Sequence, residues 1–349
     1  MKKPLVTILS PVYNGETYIE YFLNSLLALD YPNMEFILIN DGSNDGTDEI
    51  IKSYEQRLKK KFKRYVYKTT KNQGQAGAIN DGLKLVKGKY LIWPDSDDLL
   101  TKNSIACRVD FLENNPEYKF IQGQALAYDE NNLTKPLYKY QRIKKMEKVD
   151  NIFINLLLDK DIYFVNGCYM IDFASFKEIY PTLDIIVERG GQNWQMLLPF
   201  SYYHKCAYIK EVVYKYVIRE NSHSHTGIGN FAPDLNRINE HENIINNILE
   251  FMDIPKKEKD EYFREVLIKY SRMKLDLAIK HLDNHLFEEN YKILEENNGL
   301  DNFIMSLKNI SKKKRLTKYK NQQRKEQVVS IPKRVINKMK KVVSKYEEN

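Results

Sequence analysis

The sequence predicts an α/β fold: a mostly parallel central sheet with helices on both faces, followed by a C-terminal helical region. Short apolar, β-rich segments alternate with helically spaced segments over about the first hundred residues, which is typical of crossover units in a parallel sheet. From about residue 236 the pattern changes to long helices, such as the one predicted for 258–282. Basic residues are concentrated at the end of the chain. We therefore place an α/β domain at 1–230, a helical region at 231–310 and a basic tail at 311–349.

The predicted elements of the α/β domain follow one another closely. Val6 to Val12 is an apolar run typical of a buried strand, and Glu35 to Asn40 is another. The segment between them places apolar residues at helical spacing: Ile19, Phe22, Leu23, Leu26 and Leu27. This completes a strand–helix–strand unit. The alternation continues with a helix at 47–60, a strand at 64–68, a helix at 76–85 and a strand at 90–93.

The composition is that of a folded, water-soluble chain. Its 349 residues are 42% hydrophobic and 29% charged, which excludes a collagen-like or mostly disordered protein. The cysteines Cys107, Cys168 and Cys206 are far apart, so the sequence contains neither a disulfide framework nor a C-x-x-C metal site. No apolar run approaches the roughly 18 residues of a membrane-spanning helix. We expect a cytoplasmic protein.

The excess of basic charge lies in the tail. Residues 311–349 contain 14 Lys and Arg against 3 Asp and Glu, whereas the other residues contain 41 against 44. Between Ile331 and Tyr346 the apolar side chains fall on one helical face. A basic amphipathic helix of this kind is typical of segments that lie on anionic membranes. The alternative is a terminal helix docked on its own protein. Nucleic acid is not an expected partner, because the tail lacks interleaved aromatic residues.

Polar residues follow each of the first four predicted strands. The segments are Pro11-Val12-Tyr13-Asn14, Asp41-Gly42-Ser43, Asn72-Gln73-Gly74 and Asp95-Ser96-Asp97-Asp98. Carboxyl ends of parallel strands meet at one edge of a sheet, where ligands bind. Three carboxylates within four residues need a counter-charge, and their oxygens suit Mg²⁺ or Mn²⁺. The alternative is a helix N-terminus that the aspartates stabilise. The sequence has no glycine-rich phosphate motif, so metal would have to meet the phosphate charge.

These four segments together resemble the family 2 inverting glycosyltransferases, which have the GT-A nucleotide-diphospho-sugar transferase fold. The order and spacing of the motifs match over about residues 4–100. The resemblance implies a metal-dependent enzyme that moves a sugar from a nucleotide-diphosphate donor, most often a UDP-sugar, with inversion of configuration. It implies Mn²⁺ or Mg²⁺ as the cofactor.

The resemblance also implies roles for the residues at the strand ends. Tyr13 and Asp41 would hold the base of the nucleotide. Asp95 would contact the ribose side, and Asp97 would ligate the metal. Further donor-binding residues are implied at the same edge: Pro11, Asn14, Asn72, Gly74 and Ser96.

A later loop is expected to close over the diphosphate, because family members often have a basic or histidine-containing loop at this place. Arg219 would pair with phosphate, and His223 or His225 would ligate the metal. The alternative is a solvated loop with two ordinary histidines.

The catalytic base is where the sequence departs from the family. Family members usually have a carboxylate ahead of an aromatic residue in the second half of the domain, and Asn193 stands at that place, before Trp194. An amide does not accept a proton at neutral pH. Three interpretations follow. Glu188 is the base; another carboxylate such as Asp98 or Asp184 serves, or none is needed; or the site has lost activity.

The acceptor side is expected near the same segment. Trp194 is a candidate for stacking on an acceptor sugar, with Gln192 beside it and Gly167 from an earlier segment. A core aromatic residue is the alternative for Trp194.

The predicted function is a metal-dependent inverting glycosyltransferase that acts on a glycan or lipid-linked glycan acceptor in bacterial cell-surface polysaccharide synthesis. We expect the protein at the inner face of the membrane, attached peripherally through the basic tail. The helical region could form a homodimer interface or brace the α/β domain. The alternative function is a catalytically silent, nucleotide-binding subunit of glycosyltransferase type at the membrane.

Overall fold

Among the residues that the structure describes, nine strands form one sheet at the centre of the first of two compact units. This unit is Met1–Arg219, and the second is Glu220–Asn349. The computed structural model describes residues 3–185, 191–219 and 229–330, with side chains as far as Arg324. The strands are β1 (Val6–Val12), β2 (Met34–Asn40), β3 (Arg64–Thr69), β4 (Tyr90–Ile92), β5 (Leu99–Leu100), β6 (Phe120–Asp129), β7 (Tyr138–Tyr140), β8 (Tyr169–Asp172) and β9 (Cys206–Ile218).

The first four strands are parallel and lie in the order β3-β2-β1-β4. β1 and β2 are buried along their whole length, as expected for central strands that helices cover on both faces. The crossover helices are α1 (Ile19–Leu27), α2 (Thr47–Lys61) and α3 (Gly74–Leu83). The predicted strands and helices of this region are confirmed, with small differences at their ends.

The sheet becomes mixed beyond β4. β8 is antiparallel to β4 and to β6, and β6 is parallel to β9. β7 and β5 add antiparallel edges to β6 and β9. The expected parallel order therefore holds for β1 to β4 and not for the second half. The chain passes from β6 to β7 through residues 130–137 without a crossover helix, and a short connection of this kind joins antiparallel strands.

The described part of the first unit also contains the α-helices α4 (Ser104–Asn114), α5 (Phe153–Leu157), α6 (Phe173–Ile179) and α7 (Gln192–Tyr203). α4 packs on β6 and β9, whereas α7 packs on α5 and α6. The α/β fold with a C-terminal helical region, which the sequence predicts, is confirmed.

The second unit is helical. Its helices are α8 (Phe231–Phe251), α9 (Lys256–His281), α10 (Asn284–Glu296), α11 (Asn302–Met305) and α12 (Lys312–Ser330). α9 packs against α8, α10 and α12. The core of this helical unit includes the buried side chains of Phe287, Leu294 and Tyr319. None of the helices in the described ranges is long and apolar enough to span a membrane.

The start of the basic segment belongs to this helical core. Arg315 on α12 is 6% exposed, and its guanidinium lies 3.6 Å from the centroid of the Phe287 ring. It donates hydrogen bonds to Asn284, Glu288 and two backbone carbonyl groups. The amphipathic helix predicted for 331–346 lies outside the described residues.

Candidate functional site

The carboxyl ends of β1 to β4 lie side by side. Hydrogen bonds connect the loop after β1 with the loop after β2. The side chain of Asn14 accepts a bond from the N–H of Asn44 at 3.0 Å, and the Asn14 N–H donates to Ser43 Oγ at 2.9 Å. Glu16 accepts from the N–H of Gly46 at 2.7 Å. These reciprocal bonds hold the two loops together at the edge of the sheet.

The other residues predicted to bind the donor surround this edge. Pro11 is buried in β1, and Tyr13 at the end of the strand is 45% exposed. Asn72 is exposed in the loop after β3, and Ser96 is buried after β4. The exposed ring of Tyr13 thus lies at the same edge of the sheet as the buried polar side chains of Asp41 and Ser96.

Asp41 anchors the loop that follows β3. Its carboxylate is 3% exposed, and it accepts bonds from the N–H groups of Gln73 at 3.0 Å and Gly74 at 2.9 Å. Gly74 has a φ of 80°, in the left-handed region that favours glycine. Burial raises the pKa of Asp41, and the two N–H donors oppose that rise. The structure therefore gives Asp41 a loop-holding role in addition to the base contact that the resemblance implies.

Three carboxylates form a cluster directly after β4. One oxygen each from Asp95, Asp97 and Asp98 lies within 4.8 Å of the others. Burial, followed by the charge of Asp97, raises the pKa values of Asp95 and Asp98. Burial also raises the pKa of Asp97, and Arg219 opposes this. Like charges held this close favour a bound cation, so these residues fit a divalent metal.

Residues far away in the sequence hold the cluster in place. The Tyr214 hydroxyl on β9 accepts from the N–H of Asp95 at 3.2 Å and bonds the side chain of Asp98. The N–H of Val217 donates to Asp98 Oδ1 at 2.6 Å, and Gln75 Nε2 donates to Asp95 Oδ1 at 2.9 Å. The sequence gives no sign of Tyr214 or Val217, because each lies 119 residues from its partner.

The contacts of Asp98 suggest that it positions the carboxylate loop. It is 2% exposed, and two donors hold it. Its burial and these two bonds favour a positioning role over that of the catalytic base, and the assignment of Asp98 as a base stays a prediction.

Arg219 brings positive charge to the carboxylates. Its guanidinium lies 4.3 Å from the centroid of the Tyr18 ring, and it donates to the backbone oxygen of Asp97. Its Nη1 is 4.0 Å from Asp97 Oδ2. The buried Nε has no hydrogen-bond partner among the described residues. A buried guanidinium N–H without an acceptor is a suitable contact for an anionic oxygen.

Asn193, at the position where the family usually has its base, contacts the residue that directly follows β4, ahead of the carboxylate loop. Asn193 Oδ1 on α7 accepts from Trp93 Nε1 at 3.0 Å, and Trp93 lies two residues before Asp95. Gln192, next to it, is buried. This contact brings the start of α7 close to the carboxylate loop, and the Asn193 side-chain carbonyl group has a protein partner.

Trp194 and Gly167 have packing contacts. Trp194 stacks on Phe164 with ring centroids 4.5 Å apart and planes 8° apart, so one face of its indole is taken. A Cβ at Gly167 would lie 2.0 Å from the Tyr214 ring. The missing side chain of Gly167 thus leaves room for the Tyr214 ring beside the carboxylates, and the acceptor contact of Gly167 stays a prediction.

Three predicted residues lie outside the described ranges: Glu188, His223 and His225. Asp184, another candidate base, forms an exposed ion pair with Lys84 at 2.7 Å.

Comparison with known proteins gives a consistent result. The profile of a family described as "Glycosyl transferase family 2" matches residues 7–180. An uncharacterized glycosyltransferase of Rickettsia prowazekii is 34% identical over 170 residues, which are 48% of this chain and 50% of that protein. A putative teichuronic acid biosynthesis glycosyltransferase of Bacillus subtilis is 31% identical over 156 residues, 44% of this chain and 61% of that protein. The chain thus spans about half the length of the first of these relatives.

A solved structure resembles both units in fold. The crystal structure of Staphylococcus aureus TarS 1–349 in complex with UDP-GlcNAc aligns with a TM-score of 0.59 and 17% identity. The alignment covers 90% of this chain and 89% of that chain.

Proposed function

The chain belongs to glycosyltransferase family 2, and from this premise we propose that it transfers a sugar from a UDP-sugar to an acceptor hydroxyl with inversion. The observation that carries the proposal is the cluster of Asp95, Asp97 and Asp98 beside Arg219, whose Nε has no hydrogen-bond partner within the described part of the chain. The UDP-GlcNAc bound to the structurally similar S. aureus protein supports a UDP-linked donor.

The geometry suits the departure of a nucleoside diphosphate. As the bond between sugar and phosphate breaks, negative charge grows on the leaving group. Asp95 and Asp97 would hold a divalent ion, Mn²⁺ or Mg²⁺, which when bound supplies stabilisation of that charge. Arg219 Nε would donate to a phosphate oxygen. Tyr214 and Asp98 keep the carboxylate loop in place, and His223 or His225 remains a proposed further ligand.

Donor specificity is proposed to reside at the ends of β1 to β3. The exposed ring of Tyr13 is available to the nucleotide base, and Asp41 is buried at the end of the neighbouring strand, where its N–H donates to the carbonyl of Val12. The bonds between the loops after β1 and β2 fix this edge, so little ordering entropy would be lost when the donor binds.

Glu188 is the base that we propose. The other candidates are engaged elsewhere: Asp98 is buried, Asp184 is paired with Lys84, and Asn193 is an amide bonded to Trp93. Asn193 also motivates the second candidate function, a catalytically silent subunit that binds nucleotide at the membrane.

The acceptor is proposed to be a glycan or lipid-linked glycan in cell-surface polysaccharide synthesis, on the inner face of the membrane. The name of the B. subtilis relative supports a surface-polysaccharide role. The basic residues after 311 support attachment to anionic lipid. A homodimer through the helical unit remains a proposal.

Nucleotide release from UDP-, GDP-, dTDP- and CMP-sugars tests the function directly. We expect slow release from one UDP-sugar with Mn²⁺, none with EDTA, and none from Asp97→Ala. Asp110→Asn, a change to an exposed carboxylate on α4, is the matched control and should behave as wild type.

Three results would count against the proposal. Release that is equal in Asp97→Ala and wild type would contradict the metal assignment. Metal-dependent UDP binding without release, across all donors and a panel of glycan acceptors, would favour the silent subunit. Release from a GDP-sugar alone would refute the UDP assignment.

A further inference from the structure

A symmetrical pattern lies on three neighbouring strands of the sheet. β6 contributes Ala125-Leu126-Ala127 between two identical Tyr-Lys-Tyr segments, 138–140 on β7 and 214–216 on β9. Ala125 pairs with Tyr140 on one side and Tyr214 on the other, and Ala127 pairs with Tyr138 and Tyr216. Residues directly opposite each other share a face of the sheet.

The register therefore places four tyrosines on one face, which we call the tyrosine face: Tyr138, Tyr140, Tyr214 and Tyr216. The rings of three of them, Tyr138, Tyr140 and Tyr216, are in contact. Tyr140 meets Tyr216 edge to face at 5.8 Å and Tyr138 at 5.1 Å between ring centroids. The two lysines of the pattern point to the opposite face because side chains alternate along a strand. Lys215 accordingly lies over the ring of Tyr128.

The tyrosine face is continuous with the carboxylate cluster. Tyr214 is fully buried and bonds Asp95 and Asp98 through its hydroxyl. Tyr216 is two residues further along the strand and immediately precedes Val217, whose N–H holds Asp98. Tyr138, Tyr140 and Tyr216 are partly exposed. The partly exposed rings of the tyrosine face are thus adjacent to the carboxylate cluster.

The position of this face separates it from the donor side. In the sheet order β3-β2-β1-β4-β8-β6-β9, the donor residues lie at β1 to β3 and the carboxylates follow β4. The tyrosine face lies on the other side of β4, on β7, β6 and β9. A group transfer needs a second substrate on the far side of the reacting centre from the leaving group.

The chemistry of the face is aromatic and uncharged. A hexopyranose ring presents C–H groups on one side and hydroxyl groups at its rim. Tyrosine rings match the first and tyrosine hydroxyls the second. The four tyrosines carry no positive charge, and the two lysines of the pattern lie on the opposite face. The tyrosine face therefore offers no cation of its own to an anionic acceptor.

We propose that the tyrosine face is the acceptor subsite and that it binds a neutral hexopyranose unit of the acceptor glycan. This inference rests on the proposed function, because it takes the carboxylate cluster as the reacting centre. Tyr140 and Tyr216 provide the contact surface, and Tyr214 joins this surface to the carboxylates.

Binding to an array of immobilised oligosaccharides tests the inference without any turnover. The full chain, with UDP and Mn²⁺, is applied to neutral hexopyranose oligosaccharides and to two anionic sets, oligogalacturonates and alditol-phosphate oligomers. We expect retention on at least one neutral glycan and weaker or no retention on the anionic sets. Tyr140→Ala and Tyr216→Ala should each weaken that binding by about tenfold or more, which is about 1.4 kcal/mol.

Two variants control the experiment. Tyr140→Phe keeps the ring and should retain most of the affinity, which shows that a loss in Tyr140→Ala comes from the missing ring. Tyr21→Ala removes a ring that is 57% exposed on α1 and should bind as wild type. Thermal unfolding of every variant shows that it is folded.

The inference is overturned if the protein binds only anionic glycans, if it binds none, or if the alanine variants of the tyrosine face bind as wild type. The proposed function is tested separately by nucleotide release from the donor panel, which needs no glycan. Donor turnover without retention on neutral glycans would therefore refute the subsite alone. Retention without donor turnover would refute the proposed function alone.

Discussion

At the residue scale, the titration of the clustered carboxylates Asp95, Asp97 and Asp98 has a measurable consequence. Burial and neighbouring charge raise the pKa of Asp95 from 3.8 to about 7 and raise the pKa of Asp98. The unfolded chain therefore releases these protons at lower pH than the folded chain does. Stability that is present below about pH 4 is lost as the pH rises toward 7 and above.

This sign gives a prediction for thermal unfolding. In EDTA, we expect the Tm to fall between pH 5 and pH 8, as the clustered carboxylates ionise. Mn²⁺ binds only the ionised form, so its stabilising effect should grow over the same range. Asp95→Asn should flatten both trends. A Tm in EDTA that rises over this range would contradict the assignment of raised pKa values.

The base has its own prediction at this scale. Glu188→Gln should lower turnover by about 10²–10⁴ if Glu188 takes the proton from the acceptor hydroxyl. Nucleotide affinity should be unchanged, because the donor residues are not altered. Asp184→Asn, which only breaks the ion pair with Lys84, is the matched control. Turnover near the wild-type level would eliminate Glu188.

At the element scale, α12 behaves as part of the helical core. Replacing Arg315 by alanine removes several hydrogen bonds and the contact with Phe287. We expect the helical unit to lose about 2–3 kcal/mol of unfolding free energy, the magnitude for hydrogen bonds of a charged group. Urea unfolding measures this. Lys314→Ala changes an exposed residue of the same helix and should stay within about 0.5 kcal/mol of wild type. Equal losses would show that α12 is not anchored through Arg315.

Local and distant contacts differ in how far the sequence predicts them. The first four strands, their crossover helices and the carboxylates are local patterns, and all of them were predictable. The partners of the carboxylates were not, because Tyr214 and Val217 come from a strand more than a hundred residues later. The two Tyr-Lys-Tyr segments are visible in the sequence. Their pairing on either side of Ala125-Leu126-Ala127 depends on the order of the strands in the sheet. The hydrophobic periodicity of the sequence does not predict that order.

At the scale of the whole molecule, the distribution of basic charge bears on attachment to a membrane. The described side chains of α12 include seven basic residues and no acidic ones between Lys312 and Arg324. Arg315 is committed to the core, whereas Lys312, Lys313 and Lys314 are exposed. Anionic lipid attracts such residues by about 1 kcal/mol each near its surface.

Co-sedimentation with vesicles tests this attachment. Removing residues after Ser330 deletes the predicted amphipathic helix and leaves the anchored part of α12 in place. We expect binding to phosphatidylglycerol vesicles to fall by at least about tenfold, while UDP binding with Mn²⁺ is retained. Phosphatidylcholine vesicles, which have no net charge, are the lipid control. Vesicle binding that survives the truncation would refute a membrane role for that segment.

The pairing of α7 with the carboxylate loop has a further consequence. The chain contains two tryptophans. Trp93 donates to Asn193 beside the carboxylates, and Trp194 follows Asn193 on the same helix. When tryptophan is excited selectively over the 25 tyrosines, the emission therefore originates at Trp93, which is bonded to Asn193, and at Trp194, the next residue along α7. Both lie next to the candidate site, so tryptophan emission will report changes in that region, and ligands can be titrated on the unlabelled chain.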